Sequence, residues 1–284
     1  MKALFATLGL ASLCVLNTSA QVTVDMSLDQ QQFLPGETLP VSVRVTNRSG
    51  QMLHLGDAGW LTFYVESDDG SVVTKKSDLS LKEEFDLDSE LMATKHVDLA
   101  PYFNLTRAGS FKVTATVHIK DWNSDITSAP QSFDIIQGVE LWSQTFGVPD
   151  SSPSNQPPRV HKYALVQANY LRDQLRLYLQ VTDESAGSIV KVRSLGPMIS
   201  FSQPEALLDR VSNLHVLCQG GASAFTYTIV NPNGDVIRRE VYDYVSTHPR
   251  LTEDDTGNIL VIGGVRRLEP EELPQVKSPD QLAH

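Results

Sequence analysis

From Val22 onward, apolar and polar residues alternate with a period of two, which restricts the chain to half-buried β-strands. Within Thr38 to Asn47, Leu39, Val41, Val43 and Val45 face one way while Ser42, Arg44 and Thr46 face the other. Pro35-Gly36-Glu37 ahead of this strand and Asn47-Arg48-Ser49-Gly50 behind it are compositions that reverse a chain. Trp60 to Glu66 reads as another strand, joined through Ser67-Asp68-Asp69-Gly70 to Ser71 to Lys76 as a hairpin with an Asp-Gly turn. Thr94 to Leu99, Phe111 to Val117 and Gln131 to Ile136 continue the pattern. About seven short strands at regular spacing, with no helical periodicity, predict a β-sandwich over residues 21–137.

The first residues follow a different rule. Lys2 supplies a positive start, Ala3 to Leu16 an unbroken small and apolar run, and Thr18-Ser19-Ala20 a cleavage site, with Gln21 as the mature start. Residues 1–20 are therefore expected to be a signal peptide, which places the chain in a secreted, periplasmic or cell-surface setting. A lipoprotein reading would use Cys14, but Leu13 stands where a small residue is wanted. No later segment is long and apolar enough to span a bilayer. Loss of the leader leaves Cys218 without an intramolecular partner, so packing alone must hold the domains, with Cys218 itself a buried small hydrophobe. A formal charge of −11 argues against nucleic acid and anionic membrane as partners.

Beyond Gly138 the chain can be laid on itself. Pro204, Asp209, Asn213, Leu214 and Val216 recur 45 residues later as Pro249, Asp254, Asn258, Ile259 and Val261, and Val192-Arg193 recurs as Ile237-Arg238. Each unit reads as a β-hairpin, an irregular stretch opened by proline, and a buried strand ending in small residues. The earlier unit runs Leu175 to Thr182, Ile189 to Leu195, Pro204 to Ser212 and Asn213 to Gly220. The later one runs Phe225 to Val230, the turn Asn231-Pro232-Asn233-Gly234, Val236 to Tyr242, Pro249 to Thr256 and Asn258 to Gly264. Tyr163 to Asn169 echoes the terminal strand alone. Several strands in a period of about 40 to 50 residues is the pattern of propeller blades, although two units and a partial third fall short of the roughly four that close a ring. A truncated propeller-like stack, a repeat-derived sandwich and a three-unit trefoil all stay open, and the expectation is a compact β domain built from propeller-like repeats. The repeat-built domain is assigned to 138–267, with Val148 to Pro158 a proline- and serine-rich loop inside it and 268–284 a disordered tail.

Two stretches carry a resemblance. Phe33-Leu34-Pro35-Gly36-Glu37 before a Val-x-Val-x-Val strand ending in Thr46-Asn47, with Ala108-Gly109-Ser110-Phe111-Lys112-Val113 later, resembles the Ig-like modules of exported bacterial proteins, macroglobulins and a bacterial proteinase-inhibitor family. The resemblance implies an Ig-like sandwich lacking the cysteine pair of antibody domains, and it brings proteinase inhibition in as one function class. Asn231 to Tyr242 together with Gly257 to Gly264 is similar to the blade text of secreted propellers.

None of the motifs G-x-S-x-G, H-E-x-x-H or the P-loop occurs. Glu253-Asp254-Asp255-Thr256-Gly257-Asn258 and Asn231 to Asp235 gather oxygen ligands that calcium could use, but the same residues are what tight turns require, and no other cofactor is expected. Asp209 and Asp254 could serve as a glycosidase pair, yet as repeat equivalents they are expected to share one structural bond. Trp60, Trp122 and Trp142 with Tyr242 and Tyr244 could form a stacking platform for sugars, with Trp122 the best placed for exposure, but core or edge packing is the default expectation for all three tryptophans. His215 and Cys218 have metal-like spacing but point to opposite faces of a strand. The reading that results is a non-enzymatic exported protein presenting β-domain loops to an envelope or extracellular protein or polysaccharide. Its rivals are an extracellular carbohydrate-active enzyme using repeat-loop carboxylates and a proteinase inhibitor.

Overall fold

The computed structural model describes residues 22–148, 159–171 and 174–268. The expected signal peptide, most of the proline- and serine-rich loop and most of the expected tail lie outside the described residues. Among the described residues the chain is all-β, with a single 3-10 turn at Lys120–Trp122 and no α-helix.

The first unit holds ten strands: β1 (Val22–Leu28), β2 (Gln32–Phe33), β3 (Pro40–Asn47), β4 (Leu53–Leu55), β5 (Leu61–Ser67), β6 (Phe85–Leu87), β7 (Met92–Asp98), β8 (Gly109–Ile119), β9 (Ser124–Thr127) and β10 (Gln131–Ile135). One sheet has the order β1-β3-β7 and the other β2-β10-β8-β5, with β9 on β8 and a small β4-β6 pair beside them. Alternation decides what each sheet buries. Val41, Val43 and Val45 of β3 and Phe111, Val113, Ala115, Val117 and Ile119 of β8 enter one cluster shared by both sheets. Phe133 stacks on Phe111 at 5.5 Å and meets Phe33 edge-on at 6.0 Å, which pins the short parallel strand β2 to β10.

One expected strand does not form. The turn after β5 closes, since Gly70 N–H donates to Ser67 and Ser71 N–H to the Asp69 carboxylate, but pairing beyond it is limited to the bridge Glu66↔Val72. Lys76 N–H donates to Tyr102 and Thr74 accepts from Asn104, so Ser71 to Lys76 leaves the ladder for the loop near 102–104, and β8 is the partner of β5.

The second unit is a set of layers. β11 (Val139–Gly147), β12 (Val160–Leu171), β13 (Gln174–Asp183) and β14 (Ser188–Pro197) form an antiparallel meander. β15 (Glu205–Leu208), β16 (Leu214–Gln219), β17 (Ala224–Val230) and β18 (Val236–Asp243) form a second, extended by β21 (Val265–Arg267), while β19 (Arg250–Glu253) and β20 (Ile259–Ile262) make only a hairpin. Tyr163, Leu165, Leu177, Leu179 and Leu195 of the first layer pack on Leu214, Val216, Cys218 and Val230 of the second. On the far side of that second sheet, Leu217, Phe225 and Tyr227 pack on Leu251 and Val261 of the hairpin.

The repeat is visible in the ladders. Glu205↔Leu217 through Leu208↔Leu214 in β15-β16 reappears, 45 residues on, as Arg250↔Ile262 through Glu253↔Ile259 in β19-β20. The stretches expected to be irregular, Pro204 to Ser212 and Pro249 to Thr256, each contain a four-residue strand before the turn. The expected buried strand Asn258 to Gly264 forms as β20, but Leu260 and Ile262 are exposed because no described layer lies beyond it.

The two units touch where β2 ends. Leu34 and Ile136 pack on Ala164, Val166, Ala168, Tyr178 and Val192, the outer face of the first layer. Gly138 passes so close to that face that a Cβ there would lie 2.2 Å from Val166 Cγ1. Glu37 anchors the same turn, accepting from Leu34 N–H at 2.8 Å and Gln30 Nε2 at 3.1 Å, and burial pushes its pKa up.

Candidate functional site

The terminal layer and the sheet face beneath it form the candidate site. Strand parity builds that face: His215 and Leu217 of β16, Phe225 and Tyr227 of β17, and Arg238, Glu240 and Tyr242 of β18 point away from the first layer. Register sets them in rows, His215 beside Ile229 and Arg238, Leu217 beside Tyr227 and Glu240, and Phe225 beside Tyr242 and Arg266. The hairpin leans over the β15 side, where Leu251 N–H donates to Glu205 at 2.7 Å. Toward β18 the cover is incomplete: Glu240 is buried, whereas the Arg238 side chain is 60% exposed.

Polar groups on this face are connected. His215 Nδ1 lies 2.6 Å from the Tyr227 hydroxyl and Nε2 lies 3.4 Å from Asp209 Oδ2. Burial pushes His215 down and Tyr227 up to about 12, so a neutral imidazole sits between a phenol and a carboxylate. Tyr242 donates to Glu240 at 3.0 Å, and Arg238 donates to Glu240 twice, at 3.1 and 2.6 Å. Arg266 reaches the same Glu240 carboxylate at 3.4 Å, so the buried charge of Glu240 is matched. The network fixes side chains and presents one guanidinium outward.

The acidic turns share a single plan. Asp209 accepts from the N–H groups of Val211 and Asn213 and from Asn213 Nδ2, and Asp254 accepts from Thr256 N–H, Asn258 N–H and Asn258 Nδ2. Asn231 does the same for Asn233 and Asp235. Each loop then needs a left-handed fourth residue, supplied by Ser212 at φ 64°, Gly234 at 82° and Gly257 at 81°. Burial works to raise Asp209, but the bonds from Asn213 prevail and hold it low; the Thr256 hydroxyl and Asn258 amide hold Asp254 at about 2. These carboxylates close turns in the same way, as expected of repeat equivalents.

The sequence-derived candidates scatter over the molecule. Trp122 lies in the 3-10 turn against the first core and Trp142 on β11 against the second, while Trp60 is buried beside Phe85 with Nε1 unpartnered. Tyr242 lies near the end of β18 and Tyr244 just beyond it, Tyr244 exposed with its ring centroid 5.7 Å from that of His248, while Asp254 and Asp255 lie in the turn between β19 and β20, Asp255 exposed. Four of these seven residues, Tyr242, Tyr244, Asp254 and Asp255, therefore fall at the end of the stack. His215 and Cys218 do face opposite layers, and burial pushes the Cys218 thiol up to about 12.

Sequence reasoning did not single out Arg238, Leu260, Ile262 and Val265, although the alignment of Arg238 with Arg193 was a usable signal. Leu260, Ile262, Val265, Tyr244 and Val245 are all exposed around the last strands. The first unit carries a cleft of about 460 Å³ lined by His54, Asp57, Trp60, His118 and Lys120, but each charged group is matched there: His54 with Asp86, His118 with Asp125 and Lys120 with Asp57.

No family model matches the chain, and no curated protein matches it. Among solved structures, the sporulation control protein Spo0M from Bacillus subtilis aligns with 60% of this chain and 83% of its own at 11% identity and a TM-score of 0.31. At that TM-score the likeness settles neither fold nor function.

Proposed function

We propose that the chain is an exported, non-enzymatic binding protein that engages an envelope or extracellular macromolecule through the terminal layer of its second unit. In this reading the first unit is an Ig-like sandwich and the second a short stack of propeller-like layers. The observation that carries the proposal is the asymmetry of the stack: Leu34 and Ile136 cover its first face, whereas Leu260 and Ile262 leave its last face bare. Repeat stacks need polar end caps for solubility, and a contiguous apolar end marks a contact surface. The leader of residues 1–20 supports export. No described helix is long and apolar enough to cross a membrane.

The test is capture of envelope and extracellular material from the producing cell by immobilised chain, comparing wild type, Ile262→Lys and Tyr244→Ala, with Val139→Lys on β11 as a control for an exposed apolar residue elsewhere. The expected result is loss of capture for the two terminal-layer variants and retention for the control. Capture unaffected by all three substitutions would overturn the proposal.

A further inference from the structure

We infer that the free edge of β20 docks an extended, acidic segment of a partner polypeptide, which adds antiparallel as the third strand of the terminal layer. The inference rests on the binding role proposed above and names the partner's chemistry.

Repeat equivalence shows what the edge is shaped to receive. β12 is flanked on its far side by β13 and β16 by β17, both antiparallel. The β19-β20 ladder repeats the β15-β16 register at an offset of 45, yet among the described residues no strand pairs the far edge of β20. Ile259 to Ile262 is a short edge of four residues, but it has no proline, lysine or bulge. Main-chain pairing there would extend the hairpin over partly buried Ile229 of β17 and Tyr242 of β18 toward Arg238, whose side chain is 60% exposed.

Charge indicates the composition of the segment. Between the first two layers, Arg193 lies 3.7 Å from Asp235 and Lys191 pairs with the same carboxylate, so the turn between β17 and β18 is held against β14. Arg238 is the repeat equivalent of Arg193, and Glu240 holds its guanidinium in place while most of the side chain faces solvent. A carboxylate on the incoming segment would occupy the position that Asp235 takes one layer earlier.

A second copy of this chain paired through β20 would carry its own five-stranded sheet on the same side of the joined sheet; self-association in place of probe binding would overturn the inference.

The probe is a synthetic hairpin with this chain's own residues 223–243, the piece that covers the equivalent edge of β16. It is titrated against the full chain by fluorescence anisotropy, with amide hydrogen exchange read at residues 259–262. The expected result is saturable binding with protection of those amides. Arg238→Glu in the chain, or Asp235→Asn in the probe, should weaken binding roughly tenfold, the scale of one charge-assisted contact, and a probe carrying Asp235→Lys should recover affinity for the Arg238→Glu chain. Arg238→Gln, which places no like charge beside Glu240, is the second variant and should also weaken binding. Absence of protection at 259–262, or a charge swap that restores nothing, would sink the inference. If the probe fails while Ile262→Lys still abolishes envelope capture, the strand-addition mode is wrong and the binding role stands; if capture is also insensitive, both fall.

Discussion

The hairpins β15-β16 and β19-β20 are two copies of one pattern in two environments. They share a register, a proline before the first strand and an aspartate that closes the turn. In the earlier copy every residue from Leu214 to Cys218 is buried, because layers lie on both sides; in the later copy burial alternates and Leu260 and Ile262 face solvent. The repeat thus specifies backbone geometry, while burial follows from what is stacked against it. His215 illustrates the difference, since the enclosed copy carries a hydrogen-bonded imidazole where the open copy has Leu260.

The sharpest way to break this comparison is truncation at equivalent positions. Leu214→Ala removes a fully buried side chain and should cost about 2 to 5 kcal/mol, whereas Ile259→Ala should cost less than half as much; urea midpoints at unchanged m-value would read both. Equal costs would mean that the two hairpins are equally enclosed. A smaller effect comes from Tyr227→Phe, which leaves the buried His215 Nδ1 without its partner and should cost about 1 to 3 kcal/mol. Tyr244→Phe, on an exposed ring, should stay within about 0.5 kcal/mol in the same assay.

Proton linkage refines the comparison further. The folded pKa of His215 lies below its ordinary 6.5, so the unfolded chain binds the proton more readily; the contribution is intact above 6.5 and is lost as pH falls toward the folded value. His54 works in the opposite sense, its bond to Asp86 raising it, so the readout is the difference between wild type and His215→Gln. Wild type should lose more melting temperature between pH 7 and about 5, and parallel curves would remove His215 as the cause. The smallest effect belongs to the open turn. The carboxylate of Asp254, held at about 2, stabilises the turn above its ordinary 3.8, and that support is lost as pH falls through about 2. Asp254→Asn should therefore flatten acid sensitivity over that window slightly, and an unchanged acid melting curve would show that the turn contributes nothing.

Much of this arrangement was legible in the residues. Strict alternation in Leu39 to Val45 and Phe111 to Val117 announced strands that bury one face, and the 45-residue offset announced β16 and β20 as equivalents. Four-residue strands such as β15 and β19 are too short for a period to show, and the proline before each reads as a loop. Ser71 to Lys76 alternates like a strand, but its hydrogen bonds to Tyr102 and Asn104 depend on residues distant in sequence. Of the candidate site, the tyrosines and the Asp254 turn were visible as chemistry. The bareness of Leu260 and Ile262 was not, because an apolar run looks the same whether it is covered on one face or two.

Leu34 has one more consequence. By seating on Ala164, Val166 and Ala168, it seals the N-terminal side of the stack. The array therefore has a polarity: duplication of a 45-residue unit past β20 would lengthen it, and each added copy would move the exposed apolar face outward without disturbing the sealed one.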